Sequence, residues 1–230
     1  MNCPLIELPA GCPLKTAKCP LNEPVPKYGT FTDPRDGRTY KTVKIGEQVW
    51  MAENLAFAYA GSKCYDSDLA NEAKYGRLYD LETAKKAVPP GWHLPTNEEW
   101  DKLFRFVDGD NSTESPYDSE TASKYLKAKS GYNEDGNGTD KYGFSALLGG
   151  GGNGYLDGSF RDLGYLGYWW SASEFNSYRA YFRYMYYNYD RAYWYIIDKF
   201  GLFSVRCLQD YARSAATSEA SGENNEMEGK

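Results

Sequence analysis

Histidine is nearly missing from this sequence, which contains only His93 among its 230 residues. A Ser-His-Asp triad and a histidine-based metal site both depend on positioned imidazole groups, so the sequence disfavours both kinds of site. Positive charge is also in short supply, because 26 lysines and arginines stand against 32 aspartates and glutamates and give a net charge of -6. This charge repels phosphate backbones and anionic lipid, so we expect no nucleic-acid partner.

Long apolar runs are missing as well. The run that starts at Met51 is interrupted within a few residues, whereas a membrane helix needs ~20 apolar residues, so we expect no direct insertion into a bilayer. The first residues, from Met1 to Pro4, do not begin the basic, apolar and small-residue pattern of a secretory signal peptide. An exported form of the protein would therefore need either a leader that has been removed or a route that uses none.

Cysteine is scarce and odd in number. Three of the five cysteines begin Cys-Pro-Leu units near the start of the chain, and the complete set is Cys3, Cys12, Cys19, Cys64 and Cys207. At least one cysteine is unpaired within the chain, and no Cys-x-x-Cys pair of the kind that binds zinc is present. Prolines in the same region prevent a regular helix or a central strand. We therefore expect a proline- and cysteine-rich N-terminal arm over residues 1–29, one domain over residues 30–210, and a disordered acidic tail over residues 211–230.

Short strands and a few helices are predicted within the domain. The clearest helix covers residues 97–107, where Thr96 and Glu99 form a capping box and four apolar residues form one stripe: Trp100, Leu103, Phe104 and Val107. Two further helices are predicted over residues 77–88 and between residues 118 and 129, and a run of glycines at 149–152 suggests a mobile backbone. Strands are predicted as a meander over residues 30–51 and again over residues 168–173, 179–187, 192–197 and 203–208. The expected fold class is α+β, with two to three helices packed on short antiparallel strands and long glycine-rich loops.

Six short motifs occur in order along this domain, at residues 50–55 (WMAENL), 75–79 (YGRLY), 90–95 (PGWHLP), 138–147 (GTDKYGFSAL), 169–173 (WWSAS) and 203–207 (FSVRC). Together they resemble the Fibrobacter succinogenes major paralogous domain family over roughly residues 30–210. The resemblance implies a C-type-lectin-like fold and a binding module that is extracellular or on the cell surface. A phage or virus particle is the alternative location.

The chain departs from this family at two cysteine positions. Members often carry cysteines where this chain has Glu72 and Val88, so the partners that the resemblance implies for Cys64 and Cys207 are missing. The usual disulfides are therefore not expected, although a new bridge between Cys64 and Cys207 remains open. Their loss suits a reducing compartment or a particle assembled in the cytosol.

Tyrosine is abundant, with 22 residues in the chain and a dense group between Asn176 and Ile197. Alternate residues of a strand face opposite sides of a sheet, so one aromatic face of this segment belongs to the core and the other must be a surface. Tyrosine and arginine are enriched at binding hot spots. We predict that ligands contact Asn176, Tyr178, Tyr181, Tyr184, Tyr186, Asn188, Tyr189, Asp190, Arg191, Tyr193 and Tyr195. A tyrosine-rich sheet that is simply packed against loops is the alternative.

These residues predict a non-catalytic recognition or adhesion protein that binds a protein or a glycan on a target surface, with protein ahead of glycan. The segment also resembles the variable region of proteins that diversity-generating retroelements alter. In that case four flanking residues would be fixed scaffold: Trp169, Trp170, Phe203 and Val205. Carbohydrate binding is the main alternative, because aromatic rings stack on sugars. The triplets that lectins of this fold use with calcium, Glu-Pro-Asn, Gln-Pro-Asp and Trp-Asn-Asp, do not occur.

No cofactor is expected, with calcium as the alternative. The run from Asn133 begins like a calcium loop, but Phe144 stands where such a loop needs a bidentate glutamate. The resemblance also admits an enzyme of the formylglycine-generating type, whose chemistry uses two nearby cysteines late in the chain, where this sequence has only Cys207. Hydrolysis by paired carboxylates finds no support in the spacing of the four candidates, Asp157, Asp162, Asp190 and Asp198.

Overall fold

A computed structural model describes residues 25–154 and 158–211 of the chain. The three cysteines of the predicted arm, the candidate carboxylate Asp157 and nearly all of the predicted tail lie outside these residues. Within the described part, four short α-helices and twelve strands give an α+β fold. The strands form two sheets, and helices pack beside them.

The first sheet begins with the predicted meander. Strands β1 (Lys27–Thr32), β2 (Thr39–Ile45) and β3 (Gln48–Met51) pair antiparallel in sequence order. The first strand starts three residues before the expected domain start at residue 30. The sheet is completed by β5 (Trp92–His93) and β12 (Leu208–Gln209), and β12 lies between β3 and β5. The end of the domain is thus held inside the sheet that its beginning forms.

The helices are α1 (Leu69–Tyr75), α2 (Leu81–Ala87), α3 (Asn97–Asp108) and α4 (Ala122–Leu126). The prediction of α3 is confirmed: the Thr96–Glu99 capping box is present, and the apolar stripe is buried. The other helices differ from the prediction. The helix expected from residue 77 begins only at Leu81, because residues 78 and 79 form strand β4 and Asp80 caps the helix. Helix α4 is shorter than expected, and α1, which Asp68 caps, was not predicted.

The second sheet contains β6 (Gly149–Asn153), β7 (Phe160–Leu163), β8 (Leu166–Glu174), β9 (Arg179–Tyr186), β10 (Ala192–Asp198) and β11 (Gly201–Ser204). Their order is β10-β9-β8-β11-β6-β7, and β4 (Leu78–Tyr79) pairs with β11. Prediction of one strand over residues 203–208 was wrong. The chain leaves this sheet after Ser204 and enters the first sheet at Leu208, so the segment joins the two sheets.

The glycine run is a strand, contrary to the mobile backbone that was expected there. A Cβ atom on Gly151 would lie 2.9 Å from both the Phe203 ring and the Tyr168 ring. Gly150 has a φ of +63°, and its Cβ would meet the backbone carbonyl of Arg161 at 2.3 Å. Glycine is required at these positions because aromatic rings and the neighbouring strand approach the backbone closely.

A buried arginine connects the two sheets at the crossing. The Arg206 guanidinium donates to the Asn54 side-chain oxygen, with the Nη2 bond at 2.8 Å, and to the carbonyls of Phe144 (2.5 Å) and Met51 (3.2 Å). Burial lowers the pKa of Arg206 to about 9. The same Asn54 oxygen accepts the indole N–H of Trp169 at 2.9 Å. The Arg206 guanidinium and the Asn54 amide therefore connect Met51 of the first sheet with Trp169 of the second sheet.

The two cysteines of the domain are both free thiols, so the Cys64–Cys207 bridge is absent. The Cys64 thiol donates to the Glu72 carboxylate at 2.8 Å, and Arg77 pairs with the same carboxylate. Glu72 stands where the family resemblance implied a cysteine, and it does lie in contact with Cys64. An ion-paired hydrogen bond thus occupies the place in which a disulfide was implied.

The single histidine connects the end of the domain to α3. His93 places Nε2 2.8 Å from Glu99 and Nδ1 2.6 Å from Asp210. The hydrogen bond to Glu99 is the main cause of a raised pKa of His93, burial opposes it, and Asp210 adds to it. The protonated imidazole is therefore favoured in the folded state.

This contact predicts a pH dependence of stability. The contribution of His93 should be complete below the unfolded histidine pKa of ~6.5 and be lost as pH rises through the higher folded pKa. His93→Gln should therefore lose stability relative to wild type at about pH 5.5 and approach wild type at about pH 8.5. Urea denaturation at the two pH values tests this, with an expected difference under ~1 kcal/mol because the contact is partly exposed. An equal loss at both pH values would contradict it.

Candidate functional site

Strands β9 and β10 form a hairpin at the edge of the second sheet, and its two faces have different environments. The register pairs Tyr193 with Tyr184 and Tyr195 with Phe182, so these four rings share one face. The opposite face carries Arg183, Met185 and Ala192, all buried, together with Tyr181 and Trp194. The core side of the hairpin is therefore mostly not aromatic, and most of the tyrosines project on the other side.

A buried ion pair anchors the core side. Arg183 donates from Nη2 to Asp101 at 2.7 Å and from Nη1 to the Asn97 side chain at 3.2 Å, and the side chains of Arg183 and Asp101 are fully buried. Burial lowers the pKa of Arg183, and the Asp101 carboxylate opposes that shift. Since Asn97 and Asp101 belong to α3, this helix fixes the position of β9 from behind.

The aromatic side forms a shallow groove of about 380 Å³, here called the tyrosine groove, lined by Arg161, Leu166, Tyr168, Phe182, Tyr184, Tyr186, Tyr195, Ile196 and Ile197. Tyr184 stacks on Tyr193 with 5.2 Å between ring centroids, and Tyr186 packs on Tyr189 at 4.8 Å. Beneath the groove, Phe182 packs on buried Phe203 at 4.8 Å. The rings are thus supported from below and against one another.

The groove carries little charge. Burial raises the pKa of Tyr184 and of Tyr168, and the Tyr168 hydroxyl also donates to Asp162 at 2.7 Å. These hydroxyls therefore stay protonated at neutral pH and act as neutral hydrogen-bonding groups. Arg161 is the one residue of the groove lining with a formal charge. Such a surface suits apolar and aromatic contacts with a few hydrogen bonds.

Tyr184, Tyr186 and Tyr195 are the predicted residues that line the groove, and three others lie away both from it and from the turn beside it. Asn176 and Tyr178 are in the turn between β8 and β9, where the Asn176 side-chain oxygen accepts the backbone N–H groups of Tyr178 and Arg179 at 2.9 Å. Tyr178 is 77 % exposed. Tyr181 is on the α3 side of the sheet, where it packs against Trp194 at 5.7 Å. The structure therefore does not bring these three side chains together with Tyr184, Tyr186, Tyr193 and Tyr195.

The turn between β9 and β10 contains four more predicted residues, Asn188, Tyr189, Asp190 and Arg191, and all four are exposed. Asp190 accepts from Asn137 at 2.6 Å and contacts Lys124 at 3.3 Å. Arg191 pairs with Glu120 at 2.9 Å, and its guanidinium lies 5.5 Å from the centre of the Tyr193 ring. These polar side chains hold the turn in place beside the groove.

A lysine that sequence reasoning did not single out organises this turn. The fully buried Lys127 ammonium donates to the carbonyls of Tyr186 (2.5 Å), Tyr187 (2.7 Å) and Tyr189 (3.1 Å) and to the Asn137 side chain (2.5 Å). Burial lowers the pKa of Lys127 to about 7, and Asp190 opposes the shift. Four oxygen atoms thus surround one cation, which shares its three N–H donors among them. Its partners are distant in sequence, so no local pattern marks it.

The run proposed as a calcium loop has other partners. Asn133 donates its amide to the Leu163 carbonyl at 2.6 Å, and Asn137 contacts Lys127 and Asp190. Within residues 25–154 and 158–211, histidine, cysteine, aspartate and glutamate side chains form no group of three or more that could hold a metal. Within this run, the Asn137 side-chain oxygen accepts from the Lys127 ammonium, and the Asp140 carboxylate accepts from Ser145.

The described residues of the enzyme alternatives are buried or have other partners. Cys207 is fully buried, and burial raises the pKa of its thiol, which opposes formation of a nucleophilic thiolate. Among the candidate carboxylates, Asp162 accepts from Tyr168, Asp190 contacts Lys124, and Asp198 pairs with Arg179. Each has its own partner.

Sequence reasoning missed part of the groove. Phe182 lines the groove because it lies two residues from Tyr184 on the same strand and therefore on the same face. The alternation of residues along the strand could have indicated this position from the sequence. Tyr168, Leu166 and Arg161 come from β8 and β7, and only the pairing of these strands brings them beside β9.

No helix among the described residues has the length and apolar character needed to cross a bilayer.

Comparison with known proteins identifies the family of the chain by its sequence. Neither the curated proteins nor the solved structures contain a match to the chain. The sequence model of the Fibrobacter succinogenes major domain matches residues 43–209, from β2 to β12. Because this match covers well over half of the 230 residues, the chain belongs to the Fibrobacter succinogenes major domain family.

Proposed function

We propose that this protein is a non-catalytic binding module and that its site is the tyrosine groove together with Tyr189 and Tyr193. The observation that carries the proposal is the cluster of partly exposed, mutually stacked rings on a sheet that α3 supports from behind. Tyrosine offers a large rigid contact area at low conformational cost, which is the property that recognition surfaces use. The architecture that we propose for it is C-type-lectin-like, with the groove on the sheet formed late in the chain.

A protein or peptide ligand fits the groove better than a glycan. Carbohydrate sites combine a stacking ring with several polar side chains that bind the sugar hydroxyls, whereas the groove lining offers Arg161 and tyrosine hydroxyls. Partly exposed rings such as Tyr184 and Tyr193 suit apolar and aromatic side chains of a partner. Glycan binding is the second candidate, since the exposed ring of Tyr195 also provides a face on which a sugar could stack.

The difference between the buried and the exposed face of the β9–β10 hairpin supports a role as the variable protein of a diversity-generating retroelement. Groove residues project from strands whose opposite side, with Arg183 and Met185, is buried. Substitutions at the exposed residues of the groove and turn, such as Tyr195 and Tyr189, would therefore leave the core contacts unchanged. A reverse transcriptase and a template repeat beside the gene would support this role. A location on the cell surface, outside the cell or on a phage or virus particle completes the proposal, and labelling of intact cells with an antibody tests it.

The binding proposal predicts which tyrosines affect affinity. Peptides selected on the wild-type protein from a phage-displayed library of random linear peptides serve as the probe. Tyr195→Ala should weaken their binding by about 30-fold, which corresponds to a hot spot of ~2 kcal/mol. The unfolding free energy should change by less than ~0.5 kcal/mol, because Tyr195 is 62 % exposed.

Tyr178→Ala is the matched control, because Tyr178 is exposed but lies outside the groove. Full affinity in the Tyr195 variant with lost affinity in the Tyr178 variant would contradict the assignment of the site. Calcium-dependent binding to a glycan array would favour a lectin, and turnover of a sulfatase peptide that depends on Cys207 would favour an enzyme.

A further inference from the structure

A second pocket, of about 210 Å³, lies where β2, the segment after β3 and the last turn of α1 meet. It shares no lining residue with the tyrosine groove. Its volume is below the ~300–1,000 Å³ of sites for drug-sized ligands, so it suits a small group. We call it the cation pocket, after the charged side chains that line it: Arg38, Lys41, Glu53, Lys74 and Arg206.

The lining of the cation pocket is strongly positive. Four cationic side chains stand against the single carboxylate of Glu53, which leaves an excess of three positive charges. The whole chain, in contrast, has a net charge of -6. A concave site lined by charges of one sign focuses the electric field and raises the local concentration of ions of the opposite sign. The pocket is therefore a place where an otherwise acidic protein attracts anions.

Arg206 contributes a buried charge to this pocket. Its side chain is fully buried, and its acceptors are neutral groups, the Asn54 side-chain oxygen and two backbone carbonyls. Nη2 donates to Asn54 alone, so one of its two N–H groups has no acceptor among the described residues. Buried charges in proteins are normally paired with an opposite charge. The Arg206 guanidinium thus lacks the anion that usually accompanies such a group.

The other three cations of the pocket form no ion pair within residues 25–154 and 158–211. The Glu53 carboxylate accepts the backbone N–H of Lys41 at 2.6 Å and pairs with no cationic side chain there. Lysines elsewhere on the surface are paired, as Lys85 and Lys199 are with Glu174. The cations of the pocket are therefore available to a ligand.

We propose that the cation pocket binds a phosphate or sulfate group. A tetrahedral dianion presents oxygens in several directions, so cations on different sides of the pocket can each donate to it, and the planar Arg38 guanidinium can donate twice. Its charge would also compensate the buried Arg206 guanidinium. Because Lys41 belongs to β2 and Lys74 to α1, the bound group would connect the first sheet to this helix.

Titration of the full chain with inorganic phosphate tests the site. Backbone amides are followed by NMR at neutral pH and at constant ionic strength, because salt screens weak charge attraction. The amides of Glu53 and Gly76 at the pocket should shift with a Kd of ~1 mM or tighter, whereas the Tyr195 amide at the groove should not shift. No groove ligand is present, so the result does not depend on the proposed function.

Inorganic sulfate and phenyl phosphate, titrated in the same way, distinguish two sources of the anionic group. Tighter binding of phenyl phosphate than of the inorganic ions would support an ester carried by a larger molecule. The reverse order would support a free ion. Pocket amides that shift with none of the three anions would overturn the proposal.

Substitutions of exposed lysines test the contacts without disturbing the core. Lys41→Gln and Lys74→Gln should each weaken phosphate binding about tenfold, because each removes a charged hydrogen-bond donor. Lys44→Gln is the matched control, since Lys44 is also an exposed lysine of β2 but lies outside the pocket. It should bind like wild type. Equal losses of affinity in the Lys41 and Lys44 variants would also overturn the proposal, because they would indicate general charge attraction rather than a site.

Discussion

Replacing Trp170 by alanine should lower the free energy of unfolding by ~3–5 kcal/mol, the range for removing a large buried aromatic side chain. Trp170 is fully buried, donates its indole N–H to the Tyr79 carbonyl at 2.7 Å and packs on Phe203 at 4.9 Å. The change removes all of these contacts and leaves a cavity beneath the groove. Since Phe203 in turn supports Phe182, binding at the groove should weaken as well.

Urea denaturation with a parallel binding assay measures both effects. Trp170→Phe is the informative control, because it keeps a ring but removes the indole N–H that donates to the Tyr79 carbonyl, for which ~1–3 kcal/mol is expected. The groove variant Tyr195→Ala should behave in the opposite way, with lost affinity and nearly unchanged stability. If Tyr195→Ala unfolds the protein while Trp170→Ala binds and melts like wild type, the assignment of scaffold and binding surface is inverted.

Local signals in the sequence predicted the elements that depend on neighbouring residues. Helix α3 was predicted because its capping box and its apolar stripe both lie within twelve residues of sequence. The meander β1–β3 was predicted for the same reason, since alternation and two turns specify it. The fold class follows from these elements, whereas the number of helices does not, because α1 is short and lacks an apolar stripe.

The remaining features of the fold and of the candidate site depend on contacts between residues that are distant in sequence. The glycine strand β6 exists because Phe203 and Tyr168 close over it, and neither residue is near it in sequence. The segment after Ser204 changes sheets because Arg206 is held by Asn54, Met51 and Phe144. Sequence alternation could indicate that one face of the β9–β10 hairpin is a surface. It could not decide which face, because that depends on the Arg183–Asp101 pair with α3.

The turn that carries Tyr189 should depend strongly on Lys127. Lys127→Met keeps most of the buried volume but removes the ammonium, so the carbonyls of Tyr186, Tyr187 and Tyr189 lose a shared donor. Loss of a buried hydrogen-bond donor costs up to ~1–3 kcal/mol for each acceptor. The Tyr187 carbonyl keeps the Asn137 backbone N–H at 3.2 Å, and the variant no longer buries a charge, so a total loss of ~2–4 kcal/mol is expected. Amides of residues 187–191 should exchange faster, and affinity at the groove should fall because Tyr189 packs on Tyr186.

The loss should also depend on pH. Because burial lowers the pKa of Lys127 to about 7, the unfolded chain binds more protons than the folded chain between this pH and the ordinary lysine pKa. Wild-type stability therefore gains a contribution as pH rises through this range, and Lys127→Met lacks it. The difference in unfolding free energy between the two proteins should be larger at about pH 9 than at about pH 6, as measured by urea denaturation. Lys124→Met is the matched control, because Lys124 is a partly exposed lysine of α4 that contacts Asp190. This substitution should cost less than ~1 kcal/mol. Equal losses in the two variants at every pH would show that the buried amino group of Lys127 does not organise the turn.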